Sequence, residues 1–308
     1  MFHGDRARQI WWSDVGLIGI AVFWGSGFAL SDVLIQTISP LWLLAARFSL
    51  SSLLMGPLLW RRLRGQDLRL LGAASLVGVL LGLTYVVHIY GLVLSTPGKQ
   101  AFIQSSSVAM VPLLYGLWYG RWPSRPATLG AIVTTVGLFV LGFTPGMLFN
   151  AGDALSVLLA FLVALNVMMV GYLSRRMDPL ALALAQILSC TALLVVGAWG
   201  CEPWPRWGEL GTWQWQALGF LAVFVTVIPF LVQNVAQKYA PEVHAAILLS
   251  LESPFGYLIA VFLGRDAWHI QAALGGALIL AGVMVAESER WLPGRKDGTK
   301  EKTSGGGA

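Results

Sequence analysis

Ten stretches of 15–24 mostly apolar residues, separated by short polar segments, fill this chain of 308 residues. They run over 15–33, 41–59, 70–93, 99–119, 128–143, 154–173, 180–200, 213–235, 243–263 and 272–286. A helix needs roughly 20 mainly apolar residues to cross a bilayer, and its backbone groups must bond within the membrane rather than to water. The pattern predicts an all-α integral membrane protein with ten transmembrane helices. With 56% hydrophobic and 11% charged residues and a mean hydropathy of +0.71, the chain is too apolar for a soluble domain of its size.

The net charge of +5 does not point to nucleic acid, because the basic residues lie between hydrophobic runs rather than on a soluble face. With the amino terminus inside, 16 of the 20 Lys and Arg fall in inner segments, among them Arg61, Arg62, Arg64, Arg121, Arg175, Arg176 and Lys238. Outside lie Lys99, Arg206 and Arg265, and Arg47 sits within a span. This asymmetry predicts a multi-pass protein of the cytoplasmic membrane with both termini cytoplasmic. Arg6 and Arg8 before an apolar run resemble a signal peptide, but the repeat described next needs that helix. Cys190 and Cys201 fit neither a disulfide framework nor a metal site, so no metal and no cofactor is expected. Residues 291–308 read as a disordered cytoplasmic tail.

The chain repeats itself. Asp14, with Ser39-Pro40-Leu41 after it, recurs 139 residues later as Asp153 with Asp178-Pro179-Leu180. Leu129-Gly130-Ala131 through Gly137 recurs at a shift of 145 as Leu274-Gly275-Gly276 through Gly282, the extra six residues fitting a longer loop at 201–212. Each half, 1–145 and 146–290, holds five spans, and an odd number forces the second half into the membrane in the opposite sense. Inverted repeats of this kind are a plan of secondary transporters, with the substrate near the midplane where the halves meet.

Several motifs recur in the order and spacing of one family. They include Phe23-Trp24-Gly25-Ser26-Gly27-Phe28, Pro40 with Arg47, Thr96-Pro97-Gly98-Lys99-Gln100-Ala101-Phe102 and Val111-Pro112-Leu113. In the second half stand Leu249-Ser250-Leu251-Glu252-Ser253-Pro254-Phe255, Leu263-Gly264-Arg265 and Leu278-Ile279-Leu280-Ala281-Gly282-Val283. In these the chain resembles EamA-type members of the drug/metabolite transporter superfamily, almost to Glu287. Arg121 and Arg265 stand where that family often carries an acidic residue. The resemblance implies a transporter rather than an enzyme, and export rather than uptake.

Ionisable groups inside spans are costly and point to function. Glu252, deep in the ninth span beside Pro254, is the expected coupling residue and a ligand for a substrate amine; alternatively it bonds a neighbouring helix near the backbone that proline frees. Arg47 lies close enough to the outer end of its span to snorkel. His88 shares a helix face with Thr84 and Tyr85, and is a cavity wall or a packed histidine. Lys99 and His244 hold equivalent positions at helix starts, as interfacial anchors or, for Lys99, as an attractor of carboxylate. Gln100, Gln104 and Ser107 form one polar stripe, Gln233 and Gln237 another. The expected substrate site is Trp24, Phe28, Tyr85, His88, Gln104, Asn166, Gln233 and Glu252, an aromatic and polar pocket for a small amphipathic molecule.

The sequence therefore predicts a secondary-active exporter of small metabolites such as amino acids, surrounded by membrane lipid and coupled to protons. Its oligomeric state is open. A nucleotide-sugar or other phosphorylated metabolite is the rival substrate, for which only Arg47 and Lys99 offer cations. An intramembrane enzyme is a further rival, but no nucleophile elbow, His-Glu-x-x-His, phosphate loop or CxxC occurs.

Overall fold

The computed structural model describes residues 2–142, 150–262 and 268–291. The repeat boundary after residue 145, the Leu263-Gly264-Arg265 motif and the tail from 292 lie outside them. Among the described residues the regular structure is helical: α1 (Phe2–Leu34), α2 (Pro40–Leu63), α3 (Leu68–Leu94), α4 (Pro97–Ser105), α5 (Ser107–Tyr119), α6 (Arg125–Gly142), α7 (Ala151–Ser174), α8 (Pro179–Cys201), α9 (Thr212–Ala222), α10 (Ile228–Gln237), α11 (Glu242–Leu249), α12 (Glu252–Phe262) and α13 (Ile270–Trp291).

Helix starts follow local chemistry. Pro40, Pro97 and Pro179 open α2, α4 and α8, where a missing N–H costs nothing. Asn150 and Asp153 form a reciprocal capping box on α7. Asp178 caps α8 through the N–H groups of Leu180 and Ala181 and pairs with Arg62 at 2.9 Å. Burial pushes its carboxyl upward, but those donors outweigh it and hold the group below the usual carboxylate range.

Among the described residues nine segments are long and apolar enough to cross a membrane by length and composition, with α4–α5 and α9–α10 each serving as one. The ninth predicted span is not one continuous helix. It is α11 and α12 end to end, separated by the turn at Ser250–Leu251. The fourth span breaks at Ser106, and the eighth contains a π-helical turn over Val223–Val227. Each break has a proline nearby, Pro112, Pro229 and Pro254, which withholds a backbone donor from the carbonyl four residues earlier.

Packing follows the repeat. The equivalent helices α2 and α8 pack together, as do α6 and α13, while α1 lies against α10 as α7 lies against α3. Two side-chain ties obey the same relation. Lys99 Nζ is 2.5 Å from Asp153 Oδ2, and at the repeat-related positions His244 Nε2 is 2.9 Å from Asp14 Oδ1. The expected anchors are thus ties between helices, and the carboxylate that Lys99 attracts is the chain's own. His244 also meets Glu287 Oε1 at 2.7 Å. Outward faces carry bare apolar groups such as Leu117, 83% exposed, as lipid-facing positions should.

Small residues set the close contacts. A Cβ on Gly137 of α6 would come within 2.7 Å of the Ile279 backbone N on α13, whereas one on Gly19 of α1 would meet nothing within 4 Å. Gly137→Ala should therefore lower the melting temperature in detergent, an overpacking cost of about 1–3 kcal/mol exceeding the helix-propensity gain of about 1 kcal/mol. Gly19→Ala should leave it unchanged or raise it. Equal effects of the two would contradict this packing.

Candidate functional site

The three interrupted helices converge on one cavity of about 100 Å³. All eight residues expected at the site line it: Trp24 and Phe28 from α1, Tyr85 and His88 from α3, Gln104 from α4, Asn166 from α7, Gln233 from α10 and Glu252 from α12. Many of the lining residues are repeat mates. Trp24 and Val163, Gly27 and Asn166, and Phe28 and Val167 stand 139 apart; Tyr85 and Phe230, His88 and Gln233, Ser105 and Ser250, and Ser107 and Glu252 stand 145 apart. The cavity therefore lies where the two halves face each other.

The pairs match in position and differ in chemistry. Indole, phenol and imidazole come from the first half, a phenyl ring from each, and the carboxylate from the second. Glu252 Oε1 accepts from Gln104 Nε2 at 2.8 Å and from Ser105 Oγ at 3.3 Å. Gln104 Oε1 in turn lies 3.3 Å from His88 Nδ1, so a donor on that nitrogen continues the chain from His88 through Gln104 to Glu252. His88 packs its ring 5.0 Å from Phe28. Close approach of α1 to this acid depends on Gly25, where a Cβ would sit 2.7 Å from the Glu252 carbonyl oxygen.

Arg47 does not snorkel. It is 3% exposed and turned inward, because the π turn offers it acceptors that the membrane surface would otherwise supply. Pro229 has no N–H to give the Val225 carbonyl, which accepts instead from Arg47 Nη2 at 3.0 Å and Trp24 Nε1 at 3.2 Å. Arg47 Nε donates to Thr226 Oγ1 at 2.6 Å, and Thr226 donates onward to the Leu221 carbonyl. The guanidinium carbon lies 5.1 Å from the Tyr85 ring centroid, within cation–π range. Arg47 and Glu252 thus line one cavity without forming an ion pair with each other.

Arg47 was missing from the expected site, and Pro229 four residues after Val225 was the signal for it. Conversely, the two polar stripes do not act as units. Gln100 donates to the His88 carbonyl and Gln237 to the Val167 carbonyl, and neither lines the cavity, whereas Gln104, Ser107 and Gln233 do. Gln186, the repeat mate of Arg47, is buried away from it.

Two buried polar atoms at the cavity have no protein partner among the described residues: the Asn166 amide nitrogen and the Gln233 amide oxygen. Buried unpaired groups are rare, and one donor and one acceptor at a cavity wall suit a ligand or water. Among the described residues the group with ligand atoms for a metal is Asp14, His244 and Glu287, within 4.8 Å of one another. Two carboxylates sharing one imidazole nitrogen account for that convergence.

Glu252→Gln keeps an oxygen for its donors and should hold the fold, with a stability change of about 1 kcal/mol or less. Glu252→Leu strands the Gln104 amide, while Ser105 keeps Ser253 Oγ at 2.6 Å, and should cost about 1–3 kcal/mol. Thermal unfolding in detergent separates the two.

The EamA-like transporter family matches residues 11–143 and again 150–287. An uncharacterized transporter of Archaeoglobus fulgidus is 27% identical over 277 residues, covering 89% of this chain and 85% of that protein. A second uncharacterized transporter of that organism is 35% identical over 82 residues, 27% of this chain and 30% of that protein. One crystal structure superposes with a TM-score of 0.73 at 20% identity, covering 90% of this chain and 98% of the other, a likeness of fold.

Proposed function

This chain belongs to the EamA-like transporter family and is a multi-span membrane transporter, and we propose that it exports small amphipathic metabolites, amino acids foremost, by alternating access. The observation that carries this reading is the cavity between the halves with a buried guanidinium and a buried carboxyl group that do not pair with each other. An α-amino acid bears the complementary charges. Its carboxylate suits Arg47, held in place by Thr226 and the Val225 carbonyl, and its ammonium suits Glu252. Asn166 and Gln233 supply one further donor and acceptor, while Trp24, Phe28, Tyr85 and Phe230 form an apolar wall for a side chain.

The cavity lies where the two halves face each other, so releasing a metabolite to either side of the membrane in turn requires an opening between them. Rocking of one half against the other supplies that opening. Glu252 is the proton-coupling group, linked by Gln104 to His88. Polyphosphates fit less well, since Arg47 is the one Lys or Arg lining the cavity among the described residues. Export rests on the family resemblance, and the cytoplasmic placement of both ends on the charge asymmetry of the loops.

Proteoliposome counterflow with a panel of labelled amino acids tests the substrate class, and exchange with none of them would overturn it. Arg47→Gln should raise the half-saturation concentration for an amino acid about tenfold or more while leaving that of its decarboxylated amine within about twofold. Glu252→Gln should abolish transport driven by a pH gradient and also weaken amino-acid binding, since an amide replaces the carboxylate that meets the ammonium. Intact pH-driven transport in that variant would remove the coupling role.

A further inference from the structure

A second recess of about 450 Å³ opens at the opposite side of the α11 segment from the central cavity's break, where the inner ends of α5, α7 and α10 meet. Its volume lies within the roughly 300–1,000 Å³ of small-ligand sites. Three cations from three separate turns line it: Arg121 after α5, Arg175 after α7 and Lys238 after α10. Three phenols, Tyr115, Tyr119 and Tyr239, also line it, with Ile10 and Pro241.

Among the described residues the recess has one acid, and that acid is already engaged. Glu242 Oε1 accepts from Arg175 Nη1 at 2.6 Å and from the Tyr119 hydroxyl at 2.8 Å. Arg175 is further fixed by the Ala240 carbonyl at 3.3 Å. Gly120, at φ +63°, ends α5 in the left-handed region and turns the chain so that Arg121 borders the recess. Neither Arg121 nor Lys238 has a carboxylate partner among the described residues; Lys238 lies 5.9 Å from the Tyr239 ring. Cations after helix C-termini also offset helix dipoles, which accounts for their charge but not for a phenol-lined recess between them.

We propose that this recess is a binding site for the phosphate headgroup of an anionic phospholipid in the inner leaflet. Arg121 and Lys238 supply the charge, and Tyr115 and Tyr239 supply hydroxyl donors at the depth where lipid headgroups meet the hydrocarbon. The leaflet follows from the orientation with both termini inside. Because Arg175 joins the recess to Glu242 at the start of α11, an occupied site braces the helix that leads into the break before Glu252.

The test is lipid retention and thermal stabilisation of the full chain in detergent, titrated with phosphatidylglycerol or phosphatidylcholine, with inorganic phosphate and sn-glycerol 3-phosphate as soluble arms. Phosphatidylglycerol should bind roughly tenfold tighter than phosphatidylcholine and raise the melting temperature. Arg121→Gln with Lys238→Gln should abolish that preference while melting like the native protein in phosphatidylcholine. A preference unchanged in the double variant, or none in the native protein, overturns the proposal. Equal stabilisation by the soluble phosphates assigns the recess to a free anion and overturns the lipid. A variant that melts lower in every lipid reduces the cations to helix-end compensation and overturns it as well.

Discussion

The Val225 carbonyl lacks the donor that would come four residues on, since position 229 is proline, and lipid offers no substitute. A carbonyl left bare at that depth would cost several kcal/mol. Trp24 from α1 and Arg47 from α2 meet it, so a single backbone oxygen draws two other spans of the first half against one of the second. The burial of Arg47 follows from this, as does the position of Trp24 at the cavity wall. Without the break, an arginine in that span would have reason to extend toward water.

Hydropathy and loop charge were enough to locate the spans, because lipid imposes a minimum apolar length that no other constraint disguises. The cavity wall was legible for a similar reason: Glu252, Gln104 and Gln233 are expensive in lipid and so had to face inward. Helix interruptions were harder to read. Apolar runs such as 243–263 look the same whether continuous or broken, and Pro254 alone is compatible with a kinked but unbroken helix. Arg47 was misplaced because sequence distance to the span end says nothing about a freed carbonyl on a helix some 180 residues away. The separation of Gln100 from Gln104 and of Gln237 from Gln233 arises from tertiary acceptors, the carbonyls of His88 and Val167, which periodicity cannot supply.

Symmetry governs where groups stand and not what they are. Lys99 with Asp153, and His244 with Asp14, occupy equivalent positions at opposite ends of the molecule, yet one tie uses an ammonium and the other an imidazole shared with Glu287. At the cavity the contrast is sharper, since Ser107 answers Glu252 and His88 answers Gln233. A duplicated frame leaves each half free to supply half of the chemistry, with the aromatic groups mainly in the first and the acid in the second.

The π turn has a consequence for phase. Residues five apart on a uniform α-helix point about 140° away from each other. Val225 and Phe230 nevertheless border the same cavity, because the widened turn over Val223–Val227 absorbs that rotation, and Gln233 then follows Phe230 at ordinary α-helical spacing. The aim of this last stretch of α10 is thus set upstream by one supernumerary residue. An insertion or deletion there would re-aim Phe230 and Gln233 together while leaving their identity untouched, making helix phase a determinant of specificity separate from side-chain identity.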